Sequence, residues 1–162
     1  MVDDLAFVRA DAVVRPSSTT LEPISSARRN IEKVAGPAFH DQLAVKEELG
    51  VGAAVVTGAG ELAADFVIHA VIQGRGEPVT GAGVRQALVS ALRQISSWQL
   101  ERVAIPPIGV GPGNLTLEEA ARIMLDVIVD HEREATYPTE VCIVVDTDED
   151  KDTFEALQRE ME

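Results

Sequence analysis

The residues best placed to do chemistry lie in one loop, Pro106-Pro107-Ile108-Gly109-Val110-Gly111-Pro112-Gly113-Asn114. A short apolar run, Val103-Ala104-Ile105, leads into it, and the helical pattern Leu115-Thr116-Leu117-Glu118-Glu119-Ala120-Ala121 leads out. Thr116 has the side chain of an N-cap, and Glu119 stands three residues later, where a capping box needs it. The stretch therefore reads strand, glycine loop, helix. Ligands in open α/β sheets bind outside the carboxyl ends of strands. Backbone N–H groups in such a loop, backed by a helix N-terminus, suit a phosphate or another anion. The competing reading is a tight strand-to-helix connection, which also needs glycine. Pro112 removes one N–H donor from the loop. The glycine spacing fits neither a Walker loop nor a dinucleotide fingerprint.

Other chemistry-bearing residues form no motif. His40, His69 and His131 lack the spacing of a zinc site, and the single cysteine, Cys142, excludes an internal disulfide. His69 sits between Ile68 and Ala70 and reads as a hydrogen-bonded, partly buried residue; Cys142 reads as a small buried hydrophobe in a strand. The acidic run 146–152 has neither the glycine nor the spaced glutamate of a calcium loop, so it reads as a solvated loop with N-cap duty, Asp148 or Asp150 standing beside a helix start. No metal site and no cofactor are expected.

These residues need a frame. The chain has 162 residues, 46% of them hydrophobic, enough to build the core of one domain spanning 1–162. No apolar run approaches a membrane span, and the start, Met1-Val2-Asp3-Asp4, does not resemble a signal peptide. Cytoplasm is the expected compartment. The net charge of −13 argues against nucleic acid as a partner. Arg28, Arg29 and Lys33, with Arg15 before them, form the only candidate basic cluster.

In chain order, a first strand is expected over 6–14, ended by Pro16. A polar loop follows over 17–26, and then two helices, broken at Gly36-Pro37, before Gly50. A buried strand covers 52–57 and a second, apolar at nearly every place, covers 66–72. Val84, Leu88, Leu92 and Ile95 mark the inner stripe of a helix over 80–98, with Trp98 partly exposed at its end. The strand at 103–105 and its loop lead to a helix running to about His131, and then to an apolar last strand over 141–145. Phe154 and Leu157 mark a final short helix. The economical architecture is α/β: a three-layer α/β/α sandwich around a mixed sheet of about five strands.

The segment 103–113 resembles the second phosphate-facing loop of macro domains, the ADP-ribose-binding modules. Gly52 to Leu62 with Phe66 to Val71 resembles the family's middle strand pair, and Asp11-Ala12-Val13-Val14 resembles the strand leading into its first binding loop. Order and spacing agree over nearly the whole chain. The resemblance implies a macro-domain-like fold and an ADP-ribose-like small-molecule ligand. It assigns ligand contacts to Asp4, Ser18, Gly109, Val110, Gly111 and Gly113.

The chain departs from the family at the first loop. Arg15-Pro16-Ser17-Ser18 stands where the family has Asn-Ala-Ala-Asn, and no glycine falls within 24–29, where the family has a glycine cluster. Val145 and Asp146 replace the aromatic that often covers adenine, and the strand the family places before Asp4 is expected to be absent or vestigial. The resemblance therefore implies a divergent member without catalytic residues. Such a member is expected to bind ADP-ribose or a related nucleotide or phosphate. The alternatives are an ADP-ribosyl hydrolase or ADP-ribose-1''-phosphate phosphatase, and an interaction module with no nucleotide ligand. A missing outer strand would leave the apolar strand 141–145 at a bare edge, and a symmetric homodimer through that strand or the helix beside it is expected.

Overall fold

A computed structural model of the chain describes residues 8–18, 49–60, 62–74, 77–111 and 114–161. Within them lie five strands: β1 (Ala12–Ser18), β2 (Ala54–Gly58), β3 (Phe66–Gln73), β4 (Arg102–Ile105) and β5 (Glu140–Ile143). The described helices are α1 (Gly81–Ser97), α2 (Leu117–Glu134) and α3 (Asp148–Glu160). The sheet order is β2-β3-β1-β4-β5. β1 is parallel to β3 and β4, and β4 to β5, while β2 runs antiparallel to β3. The mixed five-stranded α/β sandwich expected from the sequence is the fold observed. The two helices expected between 27 and 50 lie outside the described residues, as does Asp4.

One sheet face carries the larger core. Ala12 and Val14 of β1, Ile68 and Ile72 of β3, and Val103 and Ile105 of β4 pack under the helices. The stripe Val84, Leu88, Leu92 and Ile95 of α1 is fully buried there, as its helical spacing requires. Met124 and Leu125 of α2 and Phe154 and Leu157 of α3 complete that layer. The opposite face buries Val13, Val67 and Ala104 with Val8, Leu62 and Val144. Burial from both sides explains why β3 is apolar along nearly its whole length. Trp98 is half exposed and meets Phe66 edge-on, ring centroids 5.1 Å apart.

Four local expectations are corrected. Pro16 does not end β1, which continues to Ser18. β1 pairs with β4 only at Ala12↔Val103 and Val13↔Ala104, while its β3 side is bonded along the whole strand. Past Val13 the β4 side has no ladder, so a residue without an N–H is tolerated there. β2 is half-buried throughout rather than buried, because it is the terminal strand of the sheet among the described residues. The last strand is Glu140–Ile143, shorter than 141–145, and Cys142 within it is only half buried. At α3 the cap is Thr147, whose hydroxyl accepts from the Asp150 N–H at 3.1 Å; Asp148, Glu149 and Asp150 form the first turn, where negative charge is favoured.

β5 is the outermost strand among the described residues, yet Cys142 and Ile143 carry interactions beyond those with β4 named here. The bare edge on which the homodimer expectation rested is therefore not taken as given.

Candidate functional site

The site grows from the way β1 and β4 separate. Asp11 accepts from the N–H groups of Glu101 (2.8 Å) and Arg102 (3.0 Å), which fixes the start of β4 against β1. After two residue pairs the ladder stops, and β1 runs on to Ser18 while β4 turns at Pro106. The chain continues from β1 toward β2 and β3 on one side, and reaches β4 and β5 on the other. This is a topological switch point, and open α/β sheets bind ligands at such a point, outside the carboxyl ends of the parallel strands.

One wall is the loop after β4. Ile108 is fully buried, and its N–H donates to Met124 Sδ at 3.4 Å. Gly109 has φ 83°, and a Cβ there would lie 2.8 Å from Val84 Cγ2 and 3.1 Å from Val79 Cγ1. Only glycine allows the loop to close onto α1 at that point. Leu115 N–H donates to the Gly109 carbonyl and Asn114 N–H to that of Gly111, each at 3.0 Å, and Val110 is bridged to Leu115. α2 then starts with the expected capping box: Glu119 N–H donates to Thr116 Oγ1, and Thr116 N–H donates to Glu119 Oε1, both at 3.2 Å. The result is a braced loop that turns Gly109 inward and leaves Val110 exposed. Space at Gly111 is open: its nearest neighbour to an added Cβ would be Asn114 Nδ2, 3.6 Å away.

The other wall is the end of β1. Arg15, Pro16 and Ser17 are buried, and only Ser18 is partly exposed. Arg15 is thus not part of a surface basic cluster. It sits beside His69 in the register of β1 and β3, and its Nη1 donates to His69 Nδ1 at 3.0 Å. Since Nδ1 accepts, the ring proton is on Nε2, which donates to Thr57 Oγ1 at 2.9 Å; Thr57 Oγ1 in turn donates to the Gly58 carbonyl at 3.1 Å. A directed chain of hydrogen bonds therefore crosses three neighbouring strands. Burial, and then the Arg15 charge, lower the His69 pKa from 6.5 to about 3, so the imidazole stays neutral. His69 was expected to be partly buried; it has no exposed surface.

Of the six residues assigned to a ligand, Ser18 ends β1, while Gly109, Val110 and Gly111 follow β4, its neighbour in the sheet. The fold thus brings both groups to the same end of adjacent strands. Asp4 and Gly113 lie outside the described residues. After β5, Val145 is buried and Asp146 exposed. Among the described residues no cluster of three or more His, Cys, Asp or Glu could hold a metal ion. Sequence reasoning missed the Arg15–His69–Thr57 chain. A signal was present: Arg15 alternates with Val13 on one strand face, which is a buried pattern.

Comparison with known proteins agrees with the fold. The sequence profile of the family described as Macro domain matches residues 14–124. A macro domain-containing protein of Caldanaerobacter subterraneus is 32% identical over 163 residues, covering 94% of this chain and 90% of that protein. The chain belongs to the macro domain family. An O-acetyl-ADP-ribose deacetylase of Pantoea vagans is 33% identical over 133 residues, covering 77% of each chain. The crystal structure of a Trypanosoma brucei macrodomain in complex with ADP-ribose superposes with a TM-score of 0.86 at 20% identity, covering 96% of this chain and 66% of that one. The chain spans about a third of the length of the uncharacterised mycobacterial relatives it matches, 36% of the Mycobacterium tuberculosis protein.

Proposed function

We propose that this macro domain binds ADP-ribose, or a related nucleotide or phosphate ligand, without turning it over. The crevice between β1 and β4 is the binding site, with the Val110–Gly111 backbone as its anion-facing wall. The observation that carries the reading is the contrast between the walls. The loop after β4 is braced and leaves open space at Gly111. At the end of β1 the polar groups of Arg15 and Ser17 are fully buried, and Ser18 alone reaches the surface. By resemblance, Arg15 and Ser18 occupy the places of the family's two asparagines. Arg15 serves the sheet through His69, and Ser18 offers one hydroxyl in place of an amide. Neither replaces the amide that helps place ribose and water in hydrolytic members.

A hydrolase is the second reading, favoured by the likeness to the Pantoea vagans deacetylase. A turnover assay on mono-ADP-ribosylated protein, run beside an active macro domain hydrolase, separates the two. Release of ADP-ribose at background rate is expected. Turnover comparable to the reference enzyme would overturn the non-catalytic reading and leave the binding reading standing.

A further inference from the structure

A second concavity lies away from the β1–β4 crevice, between α2 and α3 above β5. Its volume is about 410 Å³. Val141 and Ile143 form its floor, on alternate positions of the strand. Leu125, Ile128, Val129 and Glu132 of α2 form one wall, at spacings i, i+3, i+4 and i+7. Lys151, Phe154, Glu155 and Gln158 of α3 repeat the same spacing on the other. Met161, itself 43% exposed, extends that wall. Two helices thus turn matching stripes toward one trough, about 10–15 Å long at 1.5 Å per residue, or two to three turns. A helix laid along it would insert one apolar stripe and keep its other side wet.

Charge decides which helix. Glu132 and Glu155 stand on the rim; Lys151 is the one cation among the described lining residues, and it pairs with Glu155 at 3.9 Å. Asp148, Glu149, Asp150 and Asp152 surround the start of α3; on α2 Arg133, next to Glu132, is paired with Asp130 at 3.8 Å, and Glu134 follows it. The rim is acidic within a chain of net charge −13. A second copy of this chain would bring the same charge to the contact and be repelled.

We propose that the α2–α3 trough is a docking surface for a basic amphipathic helix of a partner protein. The test uses a synthetic Leu/Lys helix of about four turns, with leucines at i, i+3, i+4 and i+7. A Leu/Glu version and a scrambled Leu/Lys version are its controls. Fluorescence anisotropy gives the affinities, and methyl resonances of Leu125, Ile128, Ile143 and Met161 locate the contact. The Leu/Lys helix is expected to bind and shift those methyls, with both controls weaker by about tenfold or more. Glu132→Lys with Glu155→Lys changes two exposed side chains, so the fold survives; it should invert the preference toward the Leu/Glu helix. Lack of Leu/Lys binding, equal binding of the scrambled peptide, or indifference to the charge reversal would each overturn the proposal. Sedimentation equilibrium showing a dimer whose formation shifts the same methyls would overturn it in favour of a second copy.

Discussion

At the scale of single residues, Arg15 and His69 do the most to separate this site from a polar binding loop. A guanidinium is buried beside an imidazole that has to stay neutral. The unfolded chain binds a proton at His69 below about pH 6.5, while the folded chain does not until about pH 3. Between those values the unfolded state holds more protons, so this group makes stability rise with pH; above 6.5 both states are neutral and its contribution is flat. His69→Gln keeps an acceptor for Arg15 and a donor for Thr57 but does not titrate. The difference between wild-type and His69→Gln unfolding free energies, measured in urea across pH, should slope upward from about pH 3 to 6.5. Its limit is one proton, about 1.4 kcal/mol per pH unit. A difference curve flat over that range would contradict the assignment. The two loop glycines also divide by role. Gly109→Ala should cost about 1–3 kcal/mol, because the conformation is left-handed and the added carbon meets Val84 and Val79. Gly111→Ala, strained by the φ of 157° but meeting only Asn114 Nδ2 at 3.6 Å, should cost less. Equal losses of stability in the urea midpoints of the two variants would refute this division.

At the scale of elements, the strand–loop–helix unit stands on its cap. Thr116→Ala removes the hydroxyl that accepts from Glu119 and should lower stability by about 1 kcal/mol, seen as a lower urea midpoint at unchanged slope. An unchanged midpoint would mean that packing of α2 alone holds the loop. This unit was legible in the sequence because cap, stripe and glycine spacing are local signals, each read within one turn or strand. The end of β1 was not. Pro16 reads as a stop only if both strand edges need donors, and one edge here has no ladder beyond Val13. β2 reads as buried because Ala54-Val55-Val56 is apolar, yet its place at the sheet margin is a property of topology. The role of Arg15 was hidden for the same reason: its partner lies 54 residues away, and only the register of β1 against β3 brings them together.

At the scale of the molecule, the parallel strands present their carboxyl ends together, and the β1–β4 ladder stops after two pairs; the crevice proposed above lies at that separation. The central claim is that this crevice, walled by Val110 and Gly111 on one side and Ser18 on the other, holds an ADP-ribose-like ligand. A ¹H–¹⁵N correlation titration with ADP-ribose tests it most directly, because it reports where the ligand sits as well as whether it binds. The account predicts saturable shifts largest at Ser18, Val110 and Gly111, with the α2–α3 trough unmoved, and their loss in Gly111→Val. Spectra unchanged at saturating millimolar ligand, or shifts confined to residues away from the β1–β4 crevice, would contradict it.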